Sequence, residues 1–147
     1  MNIILTENVK DCIKFTDRIN GEERIETAKT IISQLKAGTE AFVIMSWGVD
    51  GNVTAGEMNG MAAAAFRVNG RLFPGHVMIA YDNAADLYEV WLTNGGKCKC
   101  LGKGIYCDML GEVIDTAIER GTDPEEYERF CESEREKLMK DIAEGNI

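Results

Sequence analysis

Five cysteines and a single histidine are the residues of this sequence best suited to binding a soft metal or attacking a substrate. Cys98, Cys100 and Cys107 follow one another closely, and His76 precedes them in a strand-like segment. Thiolate and imidazole groups are preferred ligands of Zn²⁺, so these four residues define a candidate zinc site. The stretch lacks the Cys-x₂-Cys pair of a zinc knuckle, and free cysteines are commonly buried in ordinary cores. We therefore expect five reduced, metal-free thiols and no cofactor.

His76 is also the one side chain whose ordinary pKa suits proton transfer near neutral pH. The sequence places no Ser or Cys nucleophile beside it, and Cys107 or Cys98 could reach it only through the fold. The glycine-containing stretches match neither the Walker loop nor the dinucleotide-binding fingerprint. We predict no catalytic residue, and an enzyme is less favoured than a binding protein.

The segments that position His76 and the cysteines are two apolar runs, residues 76–81 and 87–93, which are rich in β-branched and aromatic residues. The short polar break between them indicates antiparallel neighbouring strands. Alternation then places two sets of side chains on opposite faces of the sheet. The first set, expected to contact helices, is Val77, Ile79, Tyr81, Tyr88, Val90 and Leu92. The second set is His76, Met78, Ala80, Glu89, Trp91 and Thr93.

The second set combines a histidine, a carboxylate and a large aromatic side chain, a composition typical of a ligand groove or a protein contact. We therefore take His76, Met78, Glu89 and Trp91 as candidate binding residues. The alternative is that helices cover both faces of the sheet, which would make this face part of the core.

Further strands are expected wherever β-branched runs are bounded by turn dipeptides. Asp50-Gly51 and Asn69-Gly70 are typical of two-residue type I′ turns, and the second is expected to close a hairpin. Residues 58–66 fit a helix as well as a strand, but a strand is favoured because two glycines weaken the helix. The predicted strands cover residues 39–49, 61–68, 71–73, 76–81, 87–93 and 97–101, and residues 2–5 could form a further short edge strand.

Helical patterns flank this central region on both sides. Apolar residues recur there at spacings of three and four, and Asp123-Pro124 is a well-formed helix start with a cap and a proline in the first turn. The predicted helices cover residues 6–20, 22–37, 108–120 and 124–143. The order is typical of an α+β fold: a mostly antiparallel sheet of about five strands with two helices before it and two after it. We expect residues 1–147 to form a single domain.

Charge is distributed unevenly along the chain, whose formal net charge is −9. Residues 107–147 hold five Lys or Arg and thirteen Asp or Glu, so this segment alone carries −8. Such a balance disfavours direct binding to nucleic acid. It would instead attract a basic protein. The acidic residues that we expect on the solvated face of the last two helices are Asp115, Glu119, Glu128, Glu132 and Glu136.

No apolar run approaches the roughly 20 residues that span a bilayer, and the first residues lack the pattern of a secretory signal. An odd number of cysteines suits reduced thiols, so we expect a cytoplasmic protein without membrane contact. The favoured function is non-enzymatic protein–protein interaction, with a basic protein or a second copy as partner. The alternatives are a small-molecule pocket near His76, Met78 and Trp91, and a domain stabilised by zinc at Cys98, Cys100 and Cys107.

Overall fold

The computed structural model describes residues 3–145 and has one six-stranded antiparallel sheet with helices on one of its faces. The strands are β1 (Glu7–Asn8), β2 (Asp50–Met58), β3 (Met61–Asn69), β4 (Pro74–Asp82), β5 (Leu87–Asn94) and β6 (Lys97–Ile105). The helices are α1 (Val9–Cys12), α2 (Gly21–Ala37), α3 (Ala41–Ser46), α4 (Leu110–Asp115) and α5 (Pro124–Ala143). A 3₁₀ turn (Cys107–Met109) precedes α4, and a π-helical segment (Thr116–Arg120) follows it. The predicted α+β class is confirmed, with six strands where about five were expected.

The main core lies between the sheet and two helices. The sheet order is β1-β6-β5-β4-β3-β2, so strands β2 to β6 form a simple antiparallel meander. Ile31 of α2 and Ile114 of α4 are both fully buried in the cluster that contains Val77, Ile79 and Val90. The predicted inward face of β4 and β5 is therefore confirmed. The N-terminal and C-terminal helices share this face, rather than covering one face each.

The second face of the sheet is covered by residues 9–19, which we call the N-terminal strap and which consist of the single turn α1 followed by a non-helical segment. Ile13 of the strap is 2% exposed and packs in a cluster that contains Met58, Trp91 and Cys98. Burying an isoleucine of this kind contributes about 1.5–3 kcal/mol. The alternatives weighed from the sequence, an open face or a face covered by helices, are both replaced by this strap.

The helix expected over residues 6–20 is wrong beyond the single turn of α1. Lys14 donates its backbone N–H to the Asn59 side chain at 2.7 Å, and its carbonyl accepts from the backbone N–H of Asn59. The Glu57 carboxylate accepts from the backbone N–H groups of Arg18 and Ile19. Because these distant partners satisfy the backbone of the strap, it has no need of helical hydrogen bonds. The edge strand is β1; residues 3–5 form no strand, and residue 2 lies outside the described residues.

The strand expected over residues 39–49 is also wrong, because this stretch forms α3. The helical turn places Trp47 in the main core, fully buried and stacked on Phe66 with ring centroids 6.4 Å apart. Tertiary packing thus overrides the β-propensity of the run. Asp50-Gly51 is not a hairpin turn but begins β2, where an irregular register separates Asp50 from Thr54.

The predicted turn at Asn69-Gly70 is wrong as well, and residues 71–73 form no strand. The type I′ position is Asn59-Gly60, where φ is 51° and 78° and Met58 pairs with Met61. Gly70 serves a different purpose, since a Cβ atom there would collide with the carbonyl oxygen of Ile118. The strand preferred over a helix for residues 61–68 is confirmed as β3.

Helices α2 and α5 follow their predicted bounds closely, and their caps explain why. Asn20 accepts a hydrogen bond from the backbone N–H of Glu23 at 2.8 Å, which satisfies one free donor of the first turn of α2. The Asp123 side chain does the same for α5, where Pro124 is the first helical residue. Helix 108–120 is confirmed in outline, as the 3₁₀ turn, α4 and the π-helical segment.

Candidate functional site

Helix α5 is the longest helix described, yet it packs little against the rest of the protein. None of its 20 residues, all of which lie within the described part of the chain, is buried. Leu138, Met139 and Ile142 are 51%, 62% and 56% exposed. A helix of this length extends about 30 Å, and all residues of its second half except Asp141 are exposed. An exposed apolar stripe on such a helix is typical of a contact surface.

Arg71 attaches the first two turns of α5 to the body. Its guanidinium donates to both carboxylate oxygens of Glu126, at 2.6 and 3.0 Å. It also donates to the backbone carbonyls of Glu119 and Arg120, at 2.9 and 3.0 Å. The same group lies 4.8 Å from the ring centroid of Phe130, within cation–π distance. This arrangement fixes the first two turns of α5, and the Arg71 contacts reach no further along the helix than Phe130.

The electrostatics of this attachment are those of a partly buried ion pair. The hydrogen bond from Arg71 holds the pKa of the Glu126 carboxyl below its ordinary value. Burial raises the pKa of Glu119, and the backbone N–H of Arg71 opposes that effect. Burial also raises the pKa of Tyr127 to about 12, with a further contribution from Cys131. At neutral pH the junction therefore contains an ionised Glu126 and a neutral Tyr127.

The five predicted acidic residues fall into two groups. Glu128, Glu132 and Glu136 are exposed on α5, as expected. Asp115 and Glu119 are only 7% and 6% exposed, so our placement of them on the solvated face was wrong.

Both buried carboxylates have specific partners. Asp115 accepts a hydrogen bond from the indole N–H of Trp47 at 2.9 Å, and Glu119 accepts one from the backbone N–H of Arg71 at 2.7 Å. Gly111, one turn before Asp115 on the same helix face, shows how closely this face is packed, because a Cβ atom there would collide with the Thr39 side chain.

The strap covers some of the four candidate binding residues on the second sheet face and leaves His76 exposed. Trp91 is 6% exposed and donates its indole N–H to Glu89 at 3.1 Å, so both belong to the covered region. Met78 is half-buried beside them, opposite Trp91 in the β4–β5 register. His76 is exposed at the end of β4. The structure therefore does not bring His76 together with Glu89 and Trp91 in one open pocket.

His76 instead lines a polar pocket of about 570 Å³ at the end of the sheet. Arg67 and Thr93 flank it on the neighbouring strands, as its register partners in β3 and β5. Asp50 and Asn94 also line the pocket. A guanidinium and an imidazole side by side could hold an anionic group. The sequence separates these five residues widely, so only the strand register reveals the group.

The structure also contains an apolar groove of about 860 Å³ that was not predicted from the sequence. It lies between the N-terminal residues, β6 and the α4 region, and Lys99 and Glu112 are its charged lining residues. Its apolar lining comes from four separate stretches of the chain, which explains why no motif marks it: Ile3, Ile4, Leu72, Leu101, Met109 and Val113.

The cysteines are arranged differently from the prediction. Cys12 and Cys98 form a disulfide that links the strap to β6, so the expectation of five reduced thiols was wrong. Cys100 is half-buried and Cys107 is exposed, and they do not converge with Cys98 into the zinc set considered from the sequence. The half-buried Cys131 lies on α5. No local pattern indicates this pairing, since the two cysteines are 86 residues apart in the sequence.

Comparison of the chain with protein-family models, curated proteins and solved structures finds no match. Within residues 3–145, no helix is both long enough and apolar enough to cross a membrane. A function for this chain therefore has to be inferred from its own residues and geometry.

Proposed function

We propose that this protein is non-enzymatic and acts by binding another protein through α5. The observation that carries the proposal is that none of the 20 residues of this helix is fully buried, together with the exposure of Leu138, Met139 and Ile142. A helix that packed only for stability would bury its apolar stripe against the body. The stripe of α5 has room for a partner, because the attachment at Arg71 engages only the first two turns.

The charge of α5 favours a basic partner. The helix contains seven acidic and four basic residues, a net charge of −3. Glu128, Glu132 and Glu136 follow one another at i, i+4 spacing and lie beside the apolar stripe. We infer a partner that presents an apolar groove rimmed by Lys or Arg, the arrangement in which amphipathic helices are commonly bound.

A pulldown with matched charge variants tests this proposal. We expect Glu128→Gln, Glu132→Gln and Glu136→Gln together to weaken capture of a basic protein, most strongly at low ionic strength, because screening increases with salt. The control removes three exposed acids from α2 instead: Glu22→Gln, Glu23→Gln and Glu26→Gln. Equal recovery with both triple variants would contradict a role for the α5 acids.

Binding of a basic partner must be distinguished from self-association, because a second copy of the protein could also occupy the apolar stripe. Sedimentation of the purified protein distinguishes the two cases. We expect a monomer whose mass is unchanged by Leu138→Ser. A dimer that Leu138→Ser dissociates would replace the basic partner with a second copy.

A second candidate function is small-molecule binding in the polar pocket. It is favoured by the adjacency of Arg67 and His76, neither of which forms an ion pair with any residue in the range 3–145. The ligand class would be a small anion. Titration of inorganic phosphate into the parent protein and Arg67→Ala at pH 6, followed by calorimetry, tests it. Heat of binding in the parent alone would support this function, and equal traces would remove it.

A further inference from the structure

Three side chains converge where β1 joins the edge of the sheet. Glu7 is the register partner of Cys98 in the β1–β6 pair, and Val9 donates its backbone N–H to Gly96 at 2.9 Å. The single turn of α1 then carries Cys12 back over β1, so that its Sγ lies 3.3 Å from the Asn8 carbonyl oxygen. The β1–β6 pairing and the turn of α1 thus bring Cys12 and Cys98 together, although they are 86 residues apart in the sequence.

The convergence supplies the donor atoms of a metal site. The Glu7 carboxylate and the sulfurs of Cys12 and Cys98 have ligand atoms within 4.8 Å of one another. The Asn8 carbonyl oxygen adds a fourth donor, 3.3 Å from the Cys12 sulfur and 3.8 Å from the Cys98 sulfur. In the part of the chain that the structure describes, no other three His, Cys, Asp or Glu side chains come together in this way.

The backbone spacing also suits a bridging metal. The Cα atoms of Cys12 and Cys98 are 7.3 Å apart. Disulfides usually span about 4.4–6.8 Å between Cα atoms. A cation bound to both sulfurs at about 2.3 Å holds those sulfurs further apart than a direct bond does. Cys98 is fully buried and Glu7 is exposed, so a bound cation would be shielded on the sheet side and accessible from solvent.

We propose that Cys12, Cys98 and Glu7 form a site for a thiophilic divalent cation of the zinc type when the disulfide is reduced. Two molecules of a low-molecular-weight thiol break the sulfur–sulfur bond, giving two cysteine thiols and one oxidised thiol dimer. The cation then displaces the two thiol protons to solvent and binds two thiolates and a carboxylate. The strap is thereby fastened to β6 by a disulfide in oxidising conditions and by a metal in reducing ones.

Zinc binding by the full chain tests this proposal. The protein is reduced, freed of reductant without oxygen, and titrated with Zn²⁺ against a chromophoric chelator. We expect one equivalent to bind to the reduced parent and none to the oxidised parent. Cys12→Ser should abolish binding, and Glu7→Gln should weaken it at least tenfold, because each removes one donor. Cobalt substitution gives a second signal, a thiolate-to-metal absorption band that Cys12→Ser should remove.

The matched controls are Cys100→Ser and Cys107→Ser, which leave the proposed donors intact and should bind zinc like the parent. Both Cys12 and Glu7 lie outside the fully buried core, so their variants are expected to fold. Failure of the reduced parent to compete with the chelator would overturn the proposal. So would zinc binding that survives Cys12→Ser and is lost in Cys100→Ser or Cys107→Ser.

Discussion

Arg71 is the residue on which the placement of α5 depends. Its side chain is only 13% exposed, and its hydrogen bonds all go to groups in the segment from Glu119 to Glu126. A guanidinium can bind a carboxylate with two parallel hydrogen bonds and still donate to carbonyls, whereas a lysine ammonium lacks this planar fork. The residue therefore does more than neutralise Glu126.

We expect Arg71→Lys to destabilise the protein by about 1–3 kcal/mol, because it removes the bidentate contact and leaves backbone carbonyls without donors. Urea denaturation measures the change. Arg67→Lys, at an exposed position on β3, is the matched control and should alter the free energy of unfolding by less than about 0.5 kcal/mol. Equal stability of the two variants would show that Arg71 does not hold α5.

Glu57 plays the corresponding part for the strap. Burial by itself raises the pKa of Glu57, but hydrogen bonds from Thr16, Arg18 and Ile19 outweigh it and the net pKa lies below the ordinary 4.5. A carboxyl whose pKa is lowered by folding stabilises the native state above the pKa of the unfolded chain. That contribution is lost as the pH falls through the pKa of the folded state.

We therefore expect Glu57→Gln to lower the melting temperature at pH 7 and to reduce the loss of stability between pH 5 and pH 3, a window of about two units around the unfolded pKa. Thermal melts across this range measure both effects. Glu136→Gln, on the exposed side of α5, should follow the parent curve. A Glu57→Gln variant with the acid sensitivity of the parent would contradict this role.

The helices and strands that were predicted correctly are those with strong local signals in the sequence. Helices α2 and α5 have caps within their own first turns, and β4 and β5 have a clear alternation that the core confirms. The exposure of Leu138, Met139 and Ile142 was not predicted, because their spacing on the helix is typical of a buried stripe. The strap and α3 could not, because their backbone partners and core positions are supplied by residues far away in the sequence, such as Glu57 and Phe66.

The same reasoning explains the two asparagine–glycine pairs. Asn59-Gly60 and Asn69-Gly70 look equivalent as a local signal, yet only the first forms the tight turn. The choice at the second pair depends on the π-helical segment, which packs against Gly70 from about 50 residues away. The buried positions of Asp115 and Glu119 were missed for a similar reason, since Trp47 and Arg71 contact them only in the folded chain.

A pair of glycine substitutions tests this distinction. Gly70→Ala should destabilise the protein by about 2–3 kcal/mol, because its Cβ meets rigid backbone at Ile118. Gly60→Ala has a φ of 78° but no neighbouring atom near its Cβ, so about 1 kcal/mol is expected from the backbone conformation alone. Chemical denaturation measures the free energy of unfolding of both variants. A larger loss for Gly60→Ala would mean that the close approach at Gly70 is readily relieved.

In the molecule as a whole, the buried clusters and the excess negative charge lie largely in different parts. The sheet, α2, α4 and the strap contain the two buried clusters, whereas α5 contributes no buried residue to either. The segment of residues 107–147 also carries −8 of the net −9. A protein arranged in this way offers a rigid body and a projecting acidic helix, which suits association steered by charge and completed by apolar contact.

The most direct test of this account is site-specific photo-crosslinking in the source cells. A photoreactive residue replaces Leu138 on the apolar stripe or, as the matched control, Ser133, which is exposed about 140° around the same helix. We expect a discrete protein adduct from position 138 that is several-fold weaker or absent from position 133. Equal adducts from both positions, or none from position 138, would contradict the proposal that α5 is a binding helix.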